Sequence, residues 1–293
     1  MVDAKVMDRN RTRDGYIKKY YIYVVLLLMV MVFSVMKLDR VVFFGRGHFL
    51  SPDSIINLLR SAIPILTVSG AFTLLMISGH IDLSVGSAMS LSAVVFSYLL
   101  LNGTSLVPAL AATLVLGTAM GVLNGFLVTR LRITPVIATL VTLNLFKGLA
   151  LLIVPDGLSA IKGSAQKPMP EWINDYGRKD VLLGLPVAFY VAILIIVSLV
   201  IIQRKTIIGK YSAAIGGNRT AAELSGINAA RMIWLLYVLV GVFAALAGVA
   251  RASYMSLGDP LSGDGMQLDC LIAVLLGGTA FSGEIGRASC WER

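Results

Sequence analysis

The sequence predicts an all-α polytopic membrane protein with about eight transmembrane helices, for two reasons. Only 14% of the 293 residues are charged and 57% are hydrophobic, whereas a soluble domain is about 25% charged. Apolar runs are also very long: no Asp, Glu, Lys or Arg occurs from Ser61 to Ile81, or from Leu83 to Thr129. Because one span takes about 20 apolar residues, the second run must hold two.

Turn signals divide these runs into individual spans. Asn102-Gly103 and Pro108 separate the third span from the fourth. We expect spans near residues 20–36, 54–78, 84–101, 106–128, 134–154, 182–202, 232–252 and 269–281, of which the last is short. The chain then consists of a basic tail (1–19), a transmembrane domain (20–283) and a C-terminal stretch (284–293).

Positive charges predict the orientation of the spans. Lys and Arg are frequent in the tail, in the turn 129–133 and in the loop 203–231. A cytoplasmic N-terminus places all three on the cytoplasmic side, as the positive-inside rule requires. The basic residues of the segment 37–53 then lie outside, against that rule, together with the polar stretch 156–180.

The remaining composition excludes several classes of protein. A net charge of +9 would suit nucleic acid, but in so apolar a chain Lys and Arg more often mark cytoplasmic loops. Two cysteines, Cys270 and Cys290, are too few for a disulfide framework. The sequence has no GxxxxGK[ST] or HExxH motif and no Cys or Glu near His80. We therefore expect no ATPase site, no metal site and no cofactor.

Polar residues within or beside the spans are the candidates for function, because a carboxylate in hydrocarbon is costly. Asp82 lies in GHIDLSVGS (79–87), between two apolar spans. With Ser84 it can cap the start of the third span, or it can line a permeation path, and both interpretations stay open. Asn124 and Asn144 can likewise contact a polar substrate or join two helices.

Two other features of the spans predict packing contacts. Gly117, Gly121 and Gly125 recur at every fourth position, which lets another helix approach closely. Lys147 falls inside the fifth span, so we expect it to snorkel or to pair with a carboxylate.

The cytoplasmic loop predicts a short helix outside the membrane. Within GKYSAAIGGNRTAAELSGINAAR (209–231), Thr220 and Glu223 match a capping box at the N-cap and N3 positions. Gly226 is a C-terminal stop signal. Since one or two turns are marginal in isolation, this helix should rest on the bundle or on a soluble partner.

Four blocks in order resemble a known family. They are GHIDLSVGS (79–87), GTAMGVLNGFLVTRLRITPVIATLVTLNLFKGLA (117–150), AAIGGNRTAAELSGI (213–227) and MQLDCLIAVLLGGTAFSG (266–283). Together they are similar to the membrane permease subunits of bacterial ABC importers for monosaccharides, of the ribose/xylose type. Gly is commoner where His80 stands, and the His variant among xylose-type permeases favours pentose or mixed monosaccharide substrates.

The resemblance implies a multi-pass protein of the bacterial inner membrane that works with partners and lacks its own ATPase site. These would be two cytoplasmic ABC ATPase subunits, an extracytoplasmic sugar-binding protein and a second permease copy or a paralogue. Asp82 would then shape the path or its gate rather than do chemistry. The segment 209–227 would couple the permease to the ATPase through Gly216, Gly217, Asn218, Thr220, Glu223 and Gly226.

The C-terminal stretch departs from this family. After Gly283 the chain reads EIGRASCWER, which closely matches the translation of a common sequencing-adapter end. We expect residues 284–293 to be adapter read-through that replaces a family-like ending.

Two other functions compete with sugar import. A permease of the same fold could carry a signalling furanone, a nucleoside or an amino acid. A secondary transporter would need a coupling-ion site, normally built from intramembrane carboxylates or broken helices. Away from the membrane edges, the expected spans contain no Asp or Glu, which counts against it.

Overall fold

A computed structural model describes residues 51–154, 161–163 and 169–279, together with residue 24 and residues 27–32. The basic tail and the stretch 284–293 lie outside the described residues, so the expectations for them stay untested. Residues 24 and 27–32 are helical, within the first expected span. The chain divides into two units, Met1–Leu58 and Leu59–Arg293, and the helix contacts, the candidate site and the cavity described below belong to the second.

Apolar helices dominate the described chain, as expected for an all-α membrane protein. Five of them are long and apolar enough to cross a membrane: α1 (Pro52–Ile77), α3 (Leu106–Thr129), α4 (Pro135–Ile153), α6 (Val187–Lys205) and α9 (Ala229–Met255). Two shorter apolar helices are α2 (Val85–Leu101) and α10 (Met266–Leu276).

The other described elements are short. They comprise α5 (Glu171–Gly177), α7 (Ile207–Gly217) and α8 (Arg219–Leu224), with the strands β1 (Ile161–Lys162), β2 (Asp180–Leu182), β3 (Leu185–Pro186) and β4 (Leu257–Gly258). The strands form two antiparallel pairs, β1 with β4 and β2 with β3.

Two expected spans differ from the helices observed. The sixth begins at Val187 rather than near residue 182, because residues 180–186 form the β2–β3 hairpin. The eighth corresponds to α10, which has 11 residues. At about 1.5 Å per residue this is roughly 16 Å, so α10 cannot cross a bilayer alone.

Close helix contacts build the core of the second unit. α9 packs along α3 and α2, and α4 also packs on α2. A Cβ on Gly121 would lie 2.5 Å from the carbonyl oxygen of Tyr237, and one on Gly117 would lie 2.5 Å from the Cβ of Ala245. The glycines therefore allow α3 and α9 to touch through their backbones, which confirms the packing predicted for them.

Candidate functional site

Asp82 lies in the connection between α1 and α2, and its side chain is 2% exposed. One carboxylate oxygen, Oδ1, accepts the backbone N–H of Ser84 at 2.8 Å and the Ser84 hydroxyl at 2.6 Å. Ser84 is the residue that precedes α2, and its own side chain makes no capping hydrogen bond. Asp82 therefore holds Ser84, the N-cap residue of α2, but neither bond satisfies an N–H group inside α2.

Asn124 of α3 completes a buried polar cluster with Asp82 and Ser84. Its amide Nδ2 donates to Asp82 Oδ2 at 3.1 Å and to Ser84 Oγ at 2.8 Å. Its other side-chain atom, Oδ1, is buried without a hydrogen-bond partner. Burial raises the pKa of the Asp82 carboxyl, and the hydrogen bonds from Ser84 and Asn124 oppose that shift.

Tyr237 of α9 anchors the same connection from another side. Its hydroxyl donates to the carbonyl of Ile81 at 3.0 Å, and its ring lies edge-on to that of His80, with 6.4 Å between the centroids. Burial lowers the pKa of His80, a hydrogen bond with the Ser78 carbonyl opposes this, and the positive charge of Arg219 lowers it further. The connection that carries Asp82 is thus held by α9 through the Tyr237 hydroxyl.

Asn144, the fourth residue predicted for the path, does not join this cluster. It is exposed on α4 and donates to the carbonyl of Leu140 in its own helix, at 3.0 Å. Lys147, one turn further along α4, forms an ion pair with Asp264 at 2.5 Å. This confirms the expectation that Lys147 pairs with a carboxylate.

The predicted cytoplasmic helix exists as α8, but its cap was assigned wrongly. The N-cap is Asn218, whose side chain accepts the backbone N–H of Ala221 at 3.0 Å. Thr220 is already inside the helix, so it cannot cap it. Glu223 does not reach back to the cap, because it pairs with Arg219 at 3.0 Å.

The ends of α8 otherwise follow the prediction. Gly226 has φ +85° just after the helix, a left-handed conformation that suits glycine. Gly216 and Gly217 form the last turn of α7. The short helix buries Ala222 and leaves Leu224 86% exposed.

A mostly apolar cavity of about 350 Å³ lies elsewhere in the unit, lined by side chains that include Phe96, Trp172 and Leu246. Its hydroxyl groups include those of Thr67 and Ser253, which donate to carbonyls of their own helices. Such a lining offers a polar ligand few free hydrogen-bond partners, so we place the candidate site at Asp82, Ser84 and Asn124 instead.

Sequence reasoning missed three residues of these sites. Tyr237 and Asp264 are far from their partners in the chain, and no local pattern connects them. Leu224 had a signal, since it is the large apolar residue in the otherwise small and polar stretch 216–226.

Comparisons with known proteins agree on a class of membrane transporter. Residues 54–288 match the family described as branched-chain amino acid transport system / permease component. The ribose import permease protein RbsC of Bacillus subtilis (strain 168) is 33% identical over 94% of this chain and 80% of that protein.

Two further relatives support the same class. The RbsC of Escherichia coli (strain K12) is 31% identical over 82% of this chain and 74% of its own length. The L-arabinose ABC transporter permease protein AraH of Azospirillum brasilense is 34% identical over 82% of this chain and 69% of its own length. No solved structure matches the chain significantly. The chain therefore belongs to this family of transport-system permeases, as its four sequence blocks predict.

Proposed function

We propose that this chain is the transmembrane permease subunit of an ATP-driven monosaccharide importer, with D-ribose as the first substrate to test. The observation that carries the proposal is the match to ribose import permeases over up to 96% of the chain. Relatives named for L-arabinose, fructose and D-allose support a monosaccharide more broadly.

A non-sugar substrate is the second candidate, because the description of the family names branched-chain amino acids. A permease of the same fold could also carry a nucleoside or a signalling furanone. A secondary transporter is less favoured, because the relative AraH of Azospirillum brasilense is named as the permease protein of an ABC transporter.

The partners in this proposal are two cytoplasmic ATPase subunits, an extracytoplasmic sugar-binding protein and a second permease copy or a paralogue. The permease would sit in the bacterial inner membrane with its N-terminus in the cytoplasm. This places α8 and the basic residues around it on the cytoplasmic side.

Coupling to the ATPase is assigned to α8 and the residues that shape it: Gly216, Gly217, Asn218, Thr220, Glu223 and Gly226. A six-residue helix is unstable alone, yet this one is capped at Asn218 and presents an exposed Leu224. Both features suit docking of a partner.

The cluster of Asp82, Ser84 and Asn124 is proposed to act in the gate. It ties the start of α2 to α3, so a change in these hydrogen bonds would alter how α2 is held against α3. Asn144, exposed on α4, is proposed to contact substrate directly.

Uptake of labelled D-ribose tests the proposal. The chain is produced in a bacterial strain that lacks its ribose permease but keeps the ATPase and binding protein of that system. We expect ribose uptake that stops when ATP is depleted, and no uptake of L-leucine. Uptake of leucine without ribose would favour the second candidate, and ribose uptake driven without the ATPase would indicate a secondary transporter.

A further inference from the structure

The segment that follows α9 runs alongside α2 without forming a helix. Gly258 lies against α2 at Ser97, where a Cβ on Gly258 would be 2.8 Å from the Ser97 Cβ. Gly263 donates its N–H to the hydroxyl of Ser90 at 2.7 Å. Ser97 and Ser90 are about 10 Å apart along a helix. After the two-residue strand β4, residues 259–265 therefore pass along the middle of an apolar helix as irregular backbone.

If α2 lies in the membrane, the middle of the helix is at the depth of the hydrocarbon layer, where irregular backbone does not face lipid. Such backbone is found at membrane depth only where protein covers it or where it lines a water-filled cavity. In this segment Asp264 and Gly265 are exposed, whereas Gly263 is buried against α2.

The Lys147–Asp264 ion pair lies at the same depth. Lys147 is about 18 Å from the first residue of α4 and about 9 Å from the last, at 1.5 Å per residue. Both ends of this apolar helix are needed to cross a hydrocarbon layer of about 30 Å, so Lys147 is well inside it. The side chains of Lys147 and Asp264 are 33% and 46% exposed.

An exposed ion pair at this depth is costly against lipid, and intramembrane charges face a partner, the bundle interior or water. Lys147 and Asp264 already pair with each other, and their remaining exposed surface still needs polar surroundings. We propose that Lys147 and Asp264 line the water-filled passage through which the substrate crosses the bilayer. The inference rests on the proposed transport function and adds these two residues to it.

The three donors of an ammonium group and the acceptors of a carboxylate also suit an uncharged polyol. A sugar moving along this wall can exchange hydrogen bonds with the pair one at a time. Asn144 lies one turn before Lys147 on α4 and is exposed, so it extends the same polar wall.

Thiol accessibility tests the proposal in membranes that contain the full chain. Both native cysteines are first replaced, and Asp264→Cys is then treated with a membrane-impermeant methanethiosulfonate. The lipid control is Leu194→Cys, 66% exposed on the apolar helix α6, and the water control is Leu183→Cys, 81% exposed in the β2–β3 turn. Since the thiolate is the reactive form, a thiol in lipid reacts slowly.

We expect Asp264→Cys to react at least about tenfold faster than Leu194→Cys and within about tenfold of Leu183→Cys. A rate equal to that of Leu194→Cys overturns the proposal, because the site is then dry. This readout requires no transport. If Asp264→Cys is labelled rapidly but the chain does not transport ribose, the water-filled passage is supported and ribose as substrate is rejected. If the chain transports ribose but Asp264→Cys is labelled slowly, the proposed function is supported and only the assignment of Lys147 and Asp264 to the passage is rejected.

Charge exchange provides a second measurement that keeps the test valid if single variants fold poorly. Lys147→Met leaves Asp264 unpaired, and we expect ribose uptake per permease in the membrane to fall about tenfold or more. The double variant Lys147→Asp/Asp264→Lys restores the pair and should regain most of that uptake. Full uptake by Lys147→Met would contradict the assignment.

Discussion

At the scale of single residues, the site is a cluster whose donors and acceptors are matched except at Asn124 Oδ1, which has no partner. Asp82 accepts three hydrogen bonds, and Ser84 and Asn124 supply the donors. Because the cluster is almost fully buried, an error in this matching leaves a polar atom without water and costs about 1–3 kcal/mol. The order of donors and acceptors, rather than polarity alone, should therefore decide stability.

Exchanging the two side chains tests that matching. Asn124→Asp alone places two carboxylates face to face, and we expect a clear fall in melting temperature and loss of uptake. The double variant Asp82→Asn/Asn124→Asp restores one donor opposite one acceptor, so it should recover part of the melting temperature and part of the uptake. Thermal unfolding of the detergent-solubilised protein gives the first quantity. A double variant no better than Asn124→Asp would show that Asp82 must be the acidic partner.

The sequence singled out Asp82, Ser84 and Asn124 as polar residues near apolar spans. Their contact could not be predicted, because residues 82 and 124 belong to different helices and no local pattern records which helices pack together. Asn144 has the same chemistry as Asn124, yet it lies on an exposed face of α4. Helix α4 is predominantly apolar, so its sequence gave no clear periodic signal to separate its faces.

At the scale of elements, the contact of α3 with α9 depends on the absence of side chains. The glycine spacing predicted a close partner for α3, and α9 provides it. The identity of that partner was not predictable, since any helix with a matching surface satisfies the pattern.

Gly121→Ala should force α3 and α9 apart, because its Cβ would lie 2.5 Å and 2.7 Å from backbone atoms of α9. Overpacking of this kind costs about 1–3 kcal/mol. The matched control is Gly148→Ala, at a helical glycine with nothing within 4 Å of the added Cβ. We expect a lower melting temperature for the first variant and no decrease for the second. Equal melting temperatures would contradict the proposed packing.

The cap of α8 can be tested against the alternative that the sequence favoured. Asn218→Ala removes the bond to the N–H of Ala221 and should cost about 1 kcal/mol, enough to unfold much of a six-residue helix. Thr220→Ala should have little effect, because Thr220 does not cap. Limited trypsin digestion after Arg219 measures the opening. Faster cleavage in Thr220→Ala than in Asn218→Ala would restore the original capping box.

At the scale of the molecule, hydropathy predicted the class and most of the helices well, because length and apolarity alone determine whether a helix can span. The hydropathy prediction located the apolar run of α10 correctly, but the helix there is too short to cross a membrane. The irregular segment 259–265 follows a long apolar helix and carries two aspartates. Only the contacts of Gly258 and Gly263 show that the chain passes along α2 here.

The exposed Leu224 leads to a prediction about the assembled transporter. Leu224→Asp should leave the permease folded, because the side chain is 86% exposed, yet a charge there should weaken an apolar contact with the ATPase. We expect co-purification of the ATPase with the permease to fall about tenfold, and ATP-dependent ribose uptake to fall with it.

Leu183→Asp changes a comparably exposed leucine, in the β2–β3 turn that our orientation places outside. It should leave ATPase co-purification unchanged. Loss of the ATPase from Leu183→Asp but not from Leu224→Asp would reverse the proposed orientation of the molecule in the membrane.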